Sequence, residues 1–117
     1  MYKASWDDLI EQEAAPGNYR RSVTGLTIGL NKIRWVPPTG IQLHRHETAE
    51  QAIVCVEGRM EWTVAGETLV VEEGDVLMIP QGVEHGGRTL GVDATFYEVL
   101  SPTLIQTLPG FLGTPLH

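Results

Sequence analysis

Short runs in which apolar and polar residues alternate, each closed by glycine or proline, cover most of this chain. A period of two puts one face of a strand in a core and the other in solvent. On that basis strands are predicted over residues 19–24, 26–36, 41–46, 51–57, 60–65, 67–71, 75–79, 84–88 and 93–100. Turn residues fall between nearly all of them: Gly25, Pro37-Pro38-Thr39-Gly40, Glu57-Gly58, Ala65-Gly66, Glu72-Glu73-Gly74, Pro80-Gln81-Gly82 and Leu90-Gly91. No amphipathic stretch of helical length interrupts the series. Crossover helices between parallel strands are therefore unsupported, and an all-β, antiparallel sandwich or barrel is expected. The one helical start is Ser5-Trp6-Asp7-Asp8, a capping-box-like pattern that predicts a short N-terminal helix over 6–13, ended by Pro16-Gly17-Asn18.

Composition narrows the function. The 117 residues allow one ordinary domain, and 42% hydrophobic content is enough to close a core. Eight Lys and Arg against 15 Asp and Glu leave a net charge of −7, which repels a phosphate backbone and argues against nucleic acid as partner. The longest apolar runs, such as 52–56, are too short to span a bilayer, and residues 1–10 carry Asp7 and Asp8 where a leader would be basic and apolar. A soluble, cytoplasmic protein with no membrane partner is expected. The single cysteine, Cys55, sits in Ala-Ile-Val-Cys-Val and reads as a small core hydrophobe. Leu104, Ile105, Leu108, Phe111, Leu112 and Leu116 make the tail 101–117 apolar, and it is expected to be covered by the barrel or by a second subunit.

His44 and His46 lie two apart on a predicted strand, so both imidazoles project from one face and can reach one ion. His85 lies in a different hairpin, and only a closed antiparallel barrel would carry it back beside them. Three neutral imidazoles suit zinc, iron, nickel, copper or manganese and leave positions open for a substrate. His117 reads instead as a surface residue.

These residues resemble the motifs of the cupin family over about residues 40–102. The first motif, Gly, His-x-His, an acidic or amide position and Gly, is matched by Gly40, His44, His46, Glu50-Gln51 and Gly58; the gap from Gly40 to His44 is three residues where five is usual. The second is matched by Gly74, Pro80-Gln81-Gly82 and His85, with Thr89 in place of its last asparagine. The resemblance implies a single-domain jelly-roll β-barrel with one divalent transition metal (Zn, Ni, Fe or Mn) at its mouth, a small-molecule substrate and a homodimer. It also implies a fourth ligand. Counting back from Gly58 selects Gln51, and counting forward from His46 permits Glu50; these neighbours face opposite sides of a strand, and Gln51 shares a face with Ile53 and Cys55, so it is preferred. Three imidazoles and an amide would leave a divalent charge uncompensated, a strong Lewis acid.

Glu98 shares a face with Ala94, Phe96 and Leu100. A carboxylate among apolar neighbours costs free energy unless it is paired or catalytic, which makes Glu98 the expected acid or base. Glu50-Gln51, Glu98 and Ser101-Pro102 are similar to the pectin-degradation cupins that open unsaturated uronates to linear keto acids, although Glu98 stands where aspartate is usual and Leu104 where that type carries arginine. Met60, Trp62, Phe96 and Leu100 are expected to fill the barrel and line a substrate pocket. Arg45 and Glu47 are expected to face solvent, and Gly86-Gly87 to form a bulge or turn. The expected function is isomerase, lyase or cyclase chemistry by proton transfer on an oxygen-rich substrate. The alternatives are an iron-dependent dioxygenase on the same ligands and a non-catalytic binding or sensor barrel, and a polyketide-cyclase substrate fits the apolar lining as well as a sugar does.

Overall fold

The computed structural model describes residues 2–102. The expectation of a buried tail falls on 103–117 and lies outside them. All nine predicted strands are present, within one to three residues of their expected ends, and a tenth precedes them. In chain order they are β1 (Gln12–Ala15), β2 (Asn18–Thr24), β3 (Gly29–Trp35), β4 (Gly40–His44), β5 (Glu50–Glu57), β6 (Arg59–Val64), β7 (Glu67–Glu72), β8 (Val76–Ile79), β9 (His85–Thr89) and β10 (Ala94–Ser101). They form a six-stranded sheet in the order β1-β2-β3-β10-β5-β8 and a four-stranded sheet in the order β4-β9-β6-β7. Every pairing is antiparallel, giving a jelly roll with the core between the sheets. Among the described residues no helix is long and apolar enough to cross a membrane.

The predicted helix over 6–13 is reduced to a single 3-10 turn, Trp6–Asp8, followed by extended chain. Ser5 makes no side-chain cap, and Leu9 is already extended. Only Trp6, Leu9 and Ile10 are apolar in this segment, too few for a stripe along a helix. Tertiary contacts hold it instead: Trp6 stacks on Tyr97, its carbonyl accepts a hydrogen bond from Arg21 (2.7 Å), and Glu11 pairs with Arg34 (2.9 Å). The chain then adds β1 to the edge of the larger sheet, Gln12 opposite Arg20.

Aromatic side chains join the two sheets. Trp35 of β3 stacks on Trp62 of β6 with ring centroids 5.6 Å apart, and Phe96 of β10 meets Trp35 edge-on at 4.9 Å. Ile33, Ile53, Cys55, Met60, Val71, Ile79 and Ala94 complete the core. Gly86 and Gly87, expected to form a bulge or turn, lie inside β9. They are glycines because neighbours press on the strand from both sides. A Cβ on Gly87 would stand 2.8 Å from the Trp62 ring, and one on Gly86 would stand 2.8 Å from the Ile41 carbonyl oxygen. Gly58 meets both demands of a tight hairpin: its φ is +78°, and a Cβ there would collide with the Asp93 carbonyl.

Because Trp62 is fully buried and stacked on Trp35, it has nowhere to move. Gly87→Ala is expected to lower unfolding stability by about 1–3 kcal/mol, measured by urea denaturation. A midpoint equal to the parent's would show that the indole gives way freely.

Candidate metal centre

Strand pairing assembles the histidines. In the β4–β9 ladder His44 is the direct cross-strand partner of His85, and their ring centroids are 4.3 Å apart. His46 lies two residues past His44. The strand has ended by then, so His46 projects from the following loop rather than from a continuous strand as expected, yet its ring stays 5.0 Å from His44 and 5.2 Å from His85. The ligating nitrogens of the three all lie within 4.8 Å of one another. Nitrogen donors bound at 2.0–2.1 Å to one ion stand about 3–4 Å apart, so little adjustment separates this cluster from a coordination shell.

Hydrogen bonds set the tautomers. Nδ1 of His44 donates to the Gln42 carbonyl (2.8 Å) and Nδ1 of His85 to the Val83 carbonyl (2.9 Å). Nε2 of each ring therefore carries the free lone pair, as a metal ligand requires. Nε2 of His85 is buried and has no partner among the described residues. Burial, reinforced by the other two rings, holds His46 below the usual histidine pKa; burial, with His44 beside it, does the same for His85 against the opposing Val83 hydrogen bond. Imidazoles kept neutral are ready to ligate.

Gln51 is buried on the inward face of β5, whereas Glu50 is exposed. The Gln51 amide nitrogen donates to Glu98 Oε2 at 2.6 Å, which turns the amide oxygen the other way, buried and without a partner among the described residues. A buried imidazole nitrogen and a buried amide oxygen that lack partners among the described residues are each costly alone, and each is a donor suited to a cation.

Glu98 faces the same space. Its Oε1 accepts from Asn31 (2.8 Å), and Asn31 in turn accepts from Ser22 (2.5 Å). Asn31 stands opposite both Ser22 and Glu98 in register, so a polar row crosses β2, β3 and β10 toward Gln51. Burial pushes the Glu98 carboxyl above its usual pKa, against the Asn31 hydrogen bond and the charges of Arg20 and His44, which favour the ionised form. These groups border a cavity of about 440 Å³ lined by Asn31, His44, His46, Glu98, Leu100 and Arg20.

Of the residues expected to line a substrate pocket, Leu100 borders this cavity. Met60, Trp62 and Phe96 do not; they are buried in the aromatic core, Met60 opposite Thr89 and four residues along β9 from His85. Arg45 and Glu47 are exposed, at the cavity rim. Sequence reasoning missed Ser22, Asn31 and Arg20. For Arg20 and Ser22 the signal was the polar period-two series Asn18, Arg20, Ser22 and Thr24, whose last members, Ser22 and Thr24, are buried while Val23 is not.

Fold and site together define a small antiparallel β-barrel with a three-histidine cluster whose geometry could hold a metal ion. The chain belongs to the cupin family: the family model described as Cupin domain matches residues 33–100. No match is found among curated protein sequences. Among solved structures, KdgF from Halomonas sp. is 23% identical with a TM-score of 0.81, over 87% of this chain and 95% of that one. An RmlC-like cupin from Shewanella frigidimarina is 19% identical with a TM-score of 0.85, over 92% of this chain and 96% of that one. Ectoine synthase from P. lautus is 19% identical with a TM-score of 0.77, over 89% and 80%. At these identities the likeness is one of fold.

Protein purified without an affinity tag is expected to hold about one divalent ion per chain by elemental analysis, and His46→Ala or His85→Ala to lose it while still folding. The lowered histidine pKa values carry a pH signature in metal-free protein. Below the ordinary value of 6.5 the unfolded chain binds protons that folded His46 and His85 refuse. Their share of stability is thus present above pH 6.5 and lost as pH falls through the lowered values. His46→Gln should flatten this loss below pH 6.5 in urea titrations; a curve parallel to the parent's would contradict the assignment.

Proposed function

We propose that the protein is a metal-dependent enzyme that moves a proton on a small oxygen-rich substrate, in an isomerase, lyase or cyclase reaction. His44, His46, His85 and Gln51 hold one divalent transition metal, and Glu98 is the acid and base. The single observation that carries this reading is the 2.6 Å hydrogen bond from Gln51 to Glu98 at the edge of a cavity shared with the histidines. It puts a proton-transfer group one residue away from the metal donors.

A bound divalent ion would supply Lewis-acid polarisation of a substrate carbonyl or hydroxyl, undiminished by any carboxylate among the four donors. Everything else falls to the chain. Asn31 and Gln51 each occupy one lone pair of the Glu98 carboxylate and fix its plane, leaving a further lone pair on each oxygen to take a substrate proton. Burial raises the proton affinity of that carboxylate toward what a base working near neutrality needs. Leu100 and the buried wall below it exclude water from one side of the substrate. A purely binding barrel would need neither a buried carboxylate nor the polar row that holds it, and the position of Glu98 on the cavity side favours catalysis.

The test is solvent deuterium exchange. Metal-loaded protein is incubated in D2O with a panel of sugar acids, including unsaturated uronates, and hydroxy ketones, and label entering carbon beside a carbonyl is followed by NMR under nitrogen. Exchange or product formation without oxygen, reduced about 10²-fold or more by Glu98→Gln at unchanged metal content, is the expected result. Turnover that requires iron and consumes oxygen would replace this reading with a dioxygenase, and equal rates in Glu98→Gln would remove Glu98 from the chemistry.

A further inference from the structure

Arg20 sits in β2 on the face that also carries Asn18, Ser22 and Thr24, and it lines the same cavity as His44, His46 and Glu98. Ser22 and Thr24 are buried beyond it, so within that polar series the cavity is bordered by Asn18 and Arg20, and Arg20 brings the only charge of the four. The ion pairs among the described residues engage Arg21, Arg34, Arg45 and Arg88 and leave Arg20 without one. Its Nε is buried and has no hydrogen-bond partner among the described residues. A half-buried guanidinium with a buried, unused N–H is a costly arrangement in a chain with 15 acidic residues available to pair with it. Arg45, the other cation of the cavity, is half exposed at the rim and reaches Glu84 at 4.0 Å.

We infer that Arg20 is the anion-recognition residue of the cavity and that the substrate carries a carboxylate, held by the Arg20 guanidinium while the rest of the molecule faces the histidine cluster and Glu98. This rests on the proposed function for the identity of the second site but not for Arg20 itself. A planar guanidinium matches a planar carboxylate through paired N–H donors. A phosphate group, with about twice the charge, is ordinarily met by several backbone N–H groups or a helix N-terminus, and none of the elements bordering the cavity is a helix.

The experiment compares D-gluconate with D-glucitol, which differ by one carboxylate, as ligands of tag-free parent, Arg20→Gln and Arg20→Lys protein. Each is titrated by ligand-observed NMR in the metal-loaded and the metal-stripped state, with metal content measured on the same samples. The expected result is a gluconate preference of about tenfold or more in the parent in both states. Arg20→Gln should erase it to within about threefold without changing glucitol binding, and Arg20→Lys should keep part of it. A preference that survives in Arg20→Gln, or its absence in metal-stripped parent, overturns the assignment, as does inorganic phosphate displacing gluconate at lower concentration than acetate does in an Arg20-dependent way. A parent that never takes up metal defeats the proposed function, whereas the metal-stripped titrations still decide for or against Arg20.

Discussion

The site depends on one antiparallel pairing, β4 against β9, in the register that sets His44 opposite His85. A slip of one residue would turn one of the two imidazoles to the outer surface and leave the other alone inside. That register is held by close backbone approach. Gly86 and Gly87 let β9 lie against the β4 backbone on one side and the Trp62 ring on the other, at distances no side chain would permit. Trp62 is itself clamped to Trp35 across the two sheets, so the aromatic core helps to set where β9 and its His85 lie. A rigid scaffold of this kind suits coordination chemistry, where small displacements of a ligand matter.

On the opposite wall the larger sheet does something less usual, carrying a polar row through its inner face. Ser22, Asn31, Glu98 and Gln51 each bury groups that would be expensive alone, and each is satisfied by the next. The row ends in an amide oxygen with no partner among the described residues. The same chain of hydrogen bonds holds a carboxylate in place beside the cavity. Arg20 lies beside the row rather than in it, close enough for its charge to act on Glu98 and with an N–H to spare.

The two walls bring different physics to the same cavity. The smaller sheet presents neutral imidazoles whose tautomers are fixed by backbone carbonyls two residues earlier, Gln42 for His44 and Val83 for His85. The larger sheet presents charge: one carboxylate and one guanidinium, neither solvated as it would be in water. Low-dielectric surroundings strengthen whatever interactions such groups make with a bound molecule.

Much of this was legible in the chain. The period-two runs and their glycine and proline boundaries placed nine strands, because alternation and turn chemistry are local properties. The two histidine motifs announced a shared ion, and the alternation around Gln51 and Glu98 put both on inward faces, since a strand has only two sides. Three features were decided by tertiary structure. The segment after Ser5 became a 3-10 turn and an edge strand because Trp6, Glu11 and Gln12 found partners in Tyr97, Arg34 and β2, which outweigh a weak local cap. Gly86 and Gly87 became strand interior because of what presses on them from outside the segment. The polar side of β2 became the inner face, bringing Arg20 to the cavity and Ser22 under Asn31 of β3, while Met60, Trp62 and Phe96 stayed in the core, because which face of a strand turns inward is settled by the neighbours it pairs with and not by its own pattern.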